Sequence, residues 1–165
     1  MTNQLTNLLG FQTMFNSAVQ YIEGSDSFQN NVIPYRHKPT PFRQEFPFHK
    51  RSEEALYQLR KYPARVPIIL EDDTRGNRVR APNAKRKFLV PHDMTFGGFM
   101  YSVRKRAKLE PQQALFMFIN KESPDGETLN HFLPPISAQI NTLYIQHRDK
   151  DHFLYLVVCT ENTFG

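Results

Sequence analysis

The run HFLYLVVC at residues 152–159 is the feature that most constrains how this chain folds. It is apolar from Phe153 onward and rich in aromatic and β-branched side chains, which is typical of a β-strand. It is far shorter than the ~20 apolar residues that a membrane helix needs, and no other apolar run approaches that length. We therefore expect residues 152–159 to form the last and strongest strand of a sheet.

Strand and helix signals follow one another along the chain from residue 52. Further strands are predicted at ARVPIILE (64–71), KRKFLVP (85–91) and ALFMFI (114–119). Helices are predicted at SEEALYQLRKY (52–62), TFGGFMYSVRKRAK (95–108) and SAQINTLYIQHR (137–148), and a loop at 120–135. From residue 64 the order is strand, strand, helix, strand, helix, strand. This order predicts an α+β roll, a mixed four-stranded sheet with helices on one face.

Residues 1–41 are predicted to form an N-terminal arm that precedes a domain at 42–165. Within residues 4–22, apolar side chains recur three or four positions apart, as in an amphipathic helix: Leu8, Phe11, Phe15, Ala18 and Ile22. Residues 24–41 carry Ser, Asn and three prolines and are predicted to be a linker. The polar face of the helix has no lysine or arginine, which disfavours a membrane role. We expect the arm to dock on its own domain or on a neighbouring copy.

Charge and cysteine content narrow the class of protein and its compartment. The formal net charge is +5 and the isoelectric point is about 9.4, which favours acidic partners: nucleic acid, anionic lipid or acidic peptide segments. The single cysteine, Cys159, excludes an intramolecular disulfide and suits a reducing compartment. No secretory signal pattern is present. We therefore expect a cytoplasmic protein, and a lipid anchor is compatible with this expectation.

No motif in the sequence indicates catalysis, a cofactor or a metal. Gly97-Gly98 lacks the spacing of a phosphate-binding loop and is better explained by a close helix–strand contact. The six histidines form no i, i+4 pair, and EDDTRGN (71–77) lacks the ligand pattern of a calcium loop. Cys159 lies in an apolar strand, where a small core residue is favoured over a nucleophile. We expect a binding protein rather than an enzyme.

The strand KRKFLVP carries cations and apolar side chains in alternation. Lys85, Lys87 and Leu89 share one parity, and Phe88 and Val90 share the other. At a sheet edge such a strand accepts a guest peptide as an added strand, with pockets for the guest's alternate side chains. Nearby basic residues in SVRKRAK (102–108) favour guests with acidic flanks. The alternative is an ordinary hairpin strand with a solvated outer face.

Several longer motifs resemble the autophagy ubiquitin-like modifiers, the GABARAP and light-chain group. They include LRKYPARVPIILE, KRKFLVPHDMTFGGF, QALFMFIN, LYIQHRDKDHFLY and the closing ENTFG. The resemblance runs in order over about 42–120 and 134–165, with one insertion between. It implies a ubiquitin-like β-grasp fold preceded by the family's N-terminal helices.

The function that this resemblance implies is conjugation rather than catalysis. A processing cysteine protease exposes a terminal glycine, here Gly165, an ATP-dependent activating enzyme takes its carboxylate as a thioester, and a transfer enzyme passes it to phosphatidylethanolamine. The modifier then lies on the autophagosome membrane and recruits receptors with short aromatic-x-x-aliphatic motifs. The alternative is a non-conjugated ubiquitin-like scaffold for microtubule or membrane-trafficking proteins. A nucleic-acid partner is not expected, because no aromatic–basic recognition motif supports one.

The resemblance also implies site residues. The pocket for the guest's aromatic residue is expected to contain Glu54, Pro67, Lys85, Lys87, Leu89 and Phe153. The pocket for the aliphatic residue is expected to contain Phe88, Val90, Pro91, Met94, Phe99 and Val103. Arg65 and Arg104 are expected to meet acidic flanks. Phe116, Phe118 and Phe164 are expected to contact the processing and conjugation enzymes, although Phe116 and Phe118 could equally be strand core.

The sequence departs from the family pattern at two places, and it also carries the N-terminal arm; all three features are expected to affect these pockets. Gln58 stands where the family usually has an aliphatic residue, with Leu59 beside it, so the floor of the aromatic pocket is expected to be repacked. The insertion at 121–134 makes its loop about ten residues longer than the family pattern. We further hypothesise that the arm folds back and modulates access to the groove.

Overall fold

The computed structural model describes residues 20–21, 41–72, 87–122 and 129–162. The helices are α1 (Phe42–Glu45), α2 (Phe48–Lys61), α3 (Phe96–Arg106) and α4 (Ile140–His147). The strands are β1 (Gln20–Tyr21), β2 (Arg65–Asp72), β3 (Lys87–Pro91), β4 (Gln113–Glu122), β5 (Leu129–Phe132) and β6 (Leu154–Asn162).

Prolines and a threonine side chain set several of these boundaries. Helix α2 begins directly after Pro47 and ends before Pro63, which lacks the N–H that would continue it. Helix α3 is capped by Thr95, whose hydroxyl accepts a hydrogen bond from the Gly98 N–H at 3.1 Å. The last turn of α3 carries three basic residues, a placement that the helix dipole favours.

The strands form one mixed sheet in the order β1-β3-β2-β6-β4-β5. Strand β6 lies between β2, to which it is parallel, and β4, to which it is antiparallel. Its residues Leu154 to Val158 are all buried, so the prediction that this run is the principal strand is confirmed. The four predicted strands are present, and the described residues add the short edge strands β1 and β5.

Strand β5 lies within the segment that was predicted to be a loop. It pairs antiparallel with the end of β4, from Ile119 opposite Phe132 to Glu122 opposite Leu129. The loop prediction was therefore wrong for 129–132. This stretch has only four residues and few strand-forming side chains, so the free outer edge of β4, rather than local propensity, explains why it is a strand.

Helices cover both faces of the sheet. The two helices that follow residue 64, α3 and α4, lie on one face, as the element order predicted, and the N-terminal helices α1 and α2 cover the other face. On one face, strand residues such as Ile68, Leu154 and Leu156 pack with α3 and α4 in a core cluster. Residues of the opposite parity, Ile69 and Phe153, pack with Phe42 of α1 and Ala55 of α2. Because consecutive side chains of β6 point to opposite faces, an uninterrupted apolar strand needs cover on both.

A buried polar network fastens α2 to the sheet. The Asp151 carboxylate, 1% exposed, pairs with the Arg51 guanidinium and accepts hydrogen bonds from the Tyr155 hydroxyl at 2.6 Å and the Phe153 N–H at 3.1 Å. Arg51 also donates to the Tyr155 hydroxyl at 2.9 Å and to the Phe46 carbonyl at 3.0 Å. Burial, followed by the nearby Asp151 charge, raises the pKa of the Tyr155 hydroxyl. The network joins residues about 100 positions apart in sequence.

Helix α1 is held by a second set of contacts. The Phe42 N–H donates to the Glu71 carboxylate at 2.6 Å. The Arg43 guanidinium lies 3.5 Å above the centre of the Tyr155 ring and pairs with Asp149 at 2.7 Å. These contacts place α1 over the face of the sheet that carries Phe153.

The glycine pair at the start of α3 makes a close contact, with a loop rather than with a strand. The Gly97 N–H donates to the Ile136 carbonyl at 2.8 Å, and a Cβ at Gly97 would lie only 3.2 Å from that oxygen. The Phe96 N–H donates to the Ala138 carbonyl in the same segment. Gly97 therefore allows the start of α3 to approach the chain that leads into α4.

Two residues of the arm lie on the sheet. Gln20 and Tyr21 form β1, which pairs antiparallel with β3. These two residues fall in the stretch for which a helix was predicted, and they are strand. The rest of that stretch, and the predicted linker as far as residue 40, lie outside the described residues.

Candidate functional site

Strand β3 lies next to the end of the sheet. It has β2 along one side and, among the described residues, the two residues of β1 along the other. Phe88 and Val90 face the core that α3 and α4 cover, as their shared parity predicted. Lys87 and Leu89 have the opposite parity and therefore face the side of α2. We use the name β3 groove for the surface along β3 between its outer edge, α2 and α3.

The α2 side of the groove contains a charged pair over apolar side chains. The Lys87 ammonium lies 3.0 and 3.1 Å from the two carboxylate oxygens of Glu54. It also lies 5.4 Å from the ring centres of Phe42 and Phe46. Lys87 is 6% exposed, so this pair is shielded from solvent far more than a surface ion pair.

The other predicted members of the aromatic pocket are buried beneath this pair. Pro67 and Leu89 are buried, and they lie opposite one another in the β2–β3 ladder. Phe153 is fully buried and packs edge-on against Phe42, with ring centres 5.8 Å apart. Phe153 is thus core beneath α1, and Lys85 lies outside the described residues.

Gln58 occupies a buried position of α2, one turn beyond Glu54. Leu59, its neighbour, packs instead against the core on the other face of the sheet. A polar side chain therefore stands on the helix face that overlies the aromatic pocket, and Leu59 does not take its place. That the floor of the pocket is repacked relative to the family stays a prediction.

The predicted aliphatic pocket is brought together, but most of its members are core. Phe88 and Phe99 pack edge-on with ring centres 5.6 Å apart. Four of the six predicted residues are at most 4% exposed: Phe88, Val90, Phe99 and Val103. Pro91 and Met94 are partly exposed and offer surface to a guest. Leu59 and Met100 flank the same cluster, and residue type alone did not distinguish them from ordinary core.

The two predicted flank arginines have different surroundings. The Arg65 guanidinium lies 3.4 Å from the Leu89 carbonyl, close to β3. The Arg104 guanidinium donates to the carbonyls of Gln113, Glu110 and Pro111. Arg104 therefore closes the turn between α3 and β4, a role that the sequence did not reveal.

Phe116 and Phe118 lie on β4 with their side chains away from the main core. Their neighbours Met117 and Ile119 are fully buried, whereas Phe116 is 36% exposed and Phe118 is partly exposed. The residues of β4 that belong to the main core are therefore Met117 and Ile119, not Phe116 and Phe118. Phe116 lies opposite Cys159, which is itself partly buried, and Phe118 lies opposite Val157 of β6. The predicted contact residue Phe164 and the predicted conjugation residue Gly165 lie outside the described residues.

Among the described residues, no group of three or more histidine, cysteine or acidic side chains is placed to hold a metal ion. Within the same part of the chain, no helix is both long and apolar enough to cross a bilayer.

Comparison with known proteins identifies the family. The sequence model described as "Autophagy protein Atg8 ubiquitin like" matches residues 50–165. Autophagy-related protein 8 of Kluyveromyces lactis is 43% identical over 125 residues, which cover 75% of this chain and 90% of that protein. Autophagy-related protein 8d of Arabidopsis thaliana is 42% identical over 125 residues, covering 75% and 93%. A crystal structure of Trypanosoma brucei ATG8 aligns with a TM-score of 0.62 at 33% identity, covering 78% of this chain and all of that one. The chain therefore belongs to the Atg8 family of autophagy-related ubiquitin-like proteins.

Proposed function

We propose that this protein is a modifier that is conjugated through Gly165 to phosphatidylethanolamine and that recruits receptors to autophagic membranes through the β3 groove. The observation that carries the conjugation half is the course of β6. This central strand runs to Asn162, so the ENTFG ending leaves the middle of the sheet only three residues before Gly165. The last described residue of the central strand is thus only three residues from the proposed point of conjugation.

The chemistry requires only a carboxylate from this chain. ATP converts the Gly165 carboxylate into an acyl adenylate with release of pyrophosphate, and an enzyme thiolate then displaces AMP to give a thioester. The lipid amine attacks the thioester carbonyl, which forms an amide and releases the thiol. Glycine suits this path because it has no Cβ and adopts backbone angles that other residues avoid. The two acyl chains of the lipid then supply stable anchoring, which a single chain does not.

The exposed side of β4 supports a docking surface for the processing and conjugation enzymes. Phe116 and Phe118 flank β6, the strand that leads to Gly165, and neither is needed to fill the main core. Exposed aromatic side chains are costly on a surface that binds nothing and are common at interfaces. We assign Phe116 and Phe118 to this surface, together with Phe164.

The β3 groove supports recognition of an extended peptide. Its outer edge offers backbone hydrogen bonds, while the Glu54–Lys87 pair and the partly exposed Pro91 and Met94 lie on either side of the strand. A guest strand places alternate side chains on the two sides, so one aromatic and one aliphatic residue reach different pockets. Lys87 and Arg65 favour acidic residues next to this motif.

The conjugation half is tested with Gly165→Ala. In cells of the source organism, the native protein is expected to give a lipidated form that pellets with membranes, and Gly165→Ala is expected to abolish it. Thr163→Ala, two residues away, is the matched control and is expected to retain that form. A lipidated, membrane-pelleting form of Gly165→Ala would refute conjugation through this residue. Peptide binding without any lipidated native form would favour the non-conjugated scaffold instead.

The groove is tested with Lys87→Ala and a synthetic peptide that carries an aromatic-x-x-aliphatic motif after acidic residues. This substitution removes the ammonium that pairs with Glu54, and the Glu54 carboxylate then repels the acidic flank of the peptide. The affinity for the peptide is therefore expected to fall about tenfold. Lys50→Ala, which removes an exposed lysine of α2, is the control and is expected to bind like the native chain. Equal affinity of the native chain and Lys87→Ala would remove Lys87 from the proposed site.

A further inference from the structure

The outer edge of β3, to which a guest peptide is proposed to bind, is already paired with the chain's own strand β1. Strand β1 pairs antiparallel with β3, with Gln20 opposite Leu89 and Tyr21 opposite Phe88. Leu89 and Phe88 are among the residues that the family resemblance assigns to the aromatic and aliphatic pockets, respectively. The arm and the guest therefore meet at the same two positions of the same strand.

The backbone of β3 permits only one of them at a time. Pro67 lies opposite Leu89 in β2 and has no N–H, so this pair cannot exchange two hydrogen bonds across the β2 side. The N–H and C=O of Leu89 are therefore directed to the outer edge, where Gln20 is the register partner. Since one strand edge accepts one partner strand, a guest that pairs with Leu89 must displace β1.

We propose that the arm is a resident, intramolecular competitor of guest peptides at the β3 groove. This inference rests on the proposed function for the groove itself and adds its regulation. The groove is closed by this chain's own Gln20–Tyr21 in the free protein, and it opens when a guest strand replaces β1.

The length of the pairing makes the closure reversible. Strand β1 covers two of the five residues of β3, so a guest that spans the whole strand forms more backbone contacts than the arm does. The arm compensates by being part of the same chain, since linked segments reach effective concentrations on the order of millimolar. Because the β1–β3 pairing is short but its effective concentration is high, weakly binding guests do not displace β1 and tightly binding guests do.

The size of the effect follows from the fraction of molecules in which the edge is free. An arm that occupies the edge in about nine of ten molecules weakens the apparent affinity of every edge-binding guest about tenfold. Because the competitor is in the same chain, this factor does not change with protein concentration.

The test uses full-length chains. The double substitution Gln20→Pro and Tyr21→Pro removes both N–H groups of β1 and leaves the domain intact. The matched control, Gln29→Pro with Asn30→Pro, places two prolines in the predicted linker. Affinity for the motif peptide is measured by isothermal titration calorimetry, and exchange of the Leu89 amide hydrogen is measured without peptide.

The β1 prolines are expected to tighten peptide binding about tenfold and to accelerate exchange at Leu89, while the control matches the native chain. If the β1 prolines bind the peptide with native affinity, the arm does not compete and the inference is overturned while the groove proposal stands. If none of the chains binds the peptide, the groove proposal fails and the inference fails with it. A native affinity that changes with protein concentration would show that the competing arm comes from a second copy, which also overturns it.

Discussion

The buried pair Arg51–Asp151 makes the sharpest prediction about stability. Asp151→Asn keeps the shape of the side chain but removes its charge and replaces one carboxylate oxygen with an NH₂ group. Asp151 is 1% exposed and the Arg51 side chain is 10% exposed, so water cannot replace the lost partner. The Arg51 guanidinium then remains buried without its counter-charge.

The magnitude follows from these contacts. The Asn oxygen can still accept from the Phe153 N–H, but the NH₂ group faces the Arg51 guanidinium, and a donor then meets a donor. Removing one partner of a buried pair costs about 3–5 kcal/mol. For a chain of this size, that corresponds to a fall in Tm of roughly 6–20 °C.

Urea unfolding followed by circular dichroism measures this difference directly. Glu53→Gln, an exposed carboxylate on the same helix as Arg51, is the control and is expected to change stability by less than about 0.5 kcal/mol. Arg51→Met combined with Asp151→Asn is expected to lose less than the sum of the two single losses, because no buried charge is left behind. A loss below about 1 kcal/mol for Asp151→Asn, or strict additivity in the double variant, would refute the reasoning.

Three other features make predictions that can be checked separately. Gly97→Ala is expected to lower the free energy of unfolding by about 1 kcal/mol, because strain against the Ile136 carbonyl outweighs the gain in helix propensity; a more stable variant would contradict this. Burial, followed by the charge of Lys121, lowers the pKa of His147. The stability that neutral His147 contributes is therefore present above about pH 6.5 and is lost as the pH falls through its folded-state pKa. Urea unfolding between about pH 7 and pH 5 is expected to show a smaller loss of stability in His147→Gln than in the native chain. Phe116→Ser is expected to leave Tm within a few degrees of the native value while slowing thioester formation with the activating enzyme, and normal thioester formation would remove this residue from the proposed docking surface.

Local sequence patterns predicted the parts of the fold whose signals lie within one element. The apolar run of β6 and the alternation in β3 depend on neighbouring residues, so both could be predicted without knowing the fold. The position of the second helical layer, α1 and α2, could not be predicted in this way. Phe153 and Tyr155 need this cover only because β6 lies in the middle of the sheet, and the sequence of β6 alone does not show that. Strand β5 was missed for a related reason, since it lies within the 121–134 insertion and becomes a strand through its pairing with the end of β4 rather than through its own four residues.

The site shows the same division. The separation of Lys87 from Phe88 on β3 followed from strand parity, but the Lys87–Glu54 pair joins positions 33 residues apart, and only the family resemblance brought them together. Conversely, the family resemblance and the basic run around it assigned Arg104 to guest recognition, whereas its guanidinium donates to three carbonyls of its own chain. The charge of a side chain predicts which groups it attracts, but the fold determines which of those groups lie within its reach.

The position of β6 also has a mechanical consequence. Under the proposed function, a chain tethered to a membrane at Gly165 and holding a partner at β3 would transmit force along β6. This strand is paired with β2 through five residue pairs and with β4 through seven. A pull on the C-terminal end acts parallel to this strand, so the hydrogen bonds on both sides are loaded together in shear instead of opening one after another. The sheet is therefore strongest in the direction in which a tethered adaptor would be pulled.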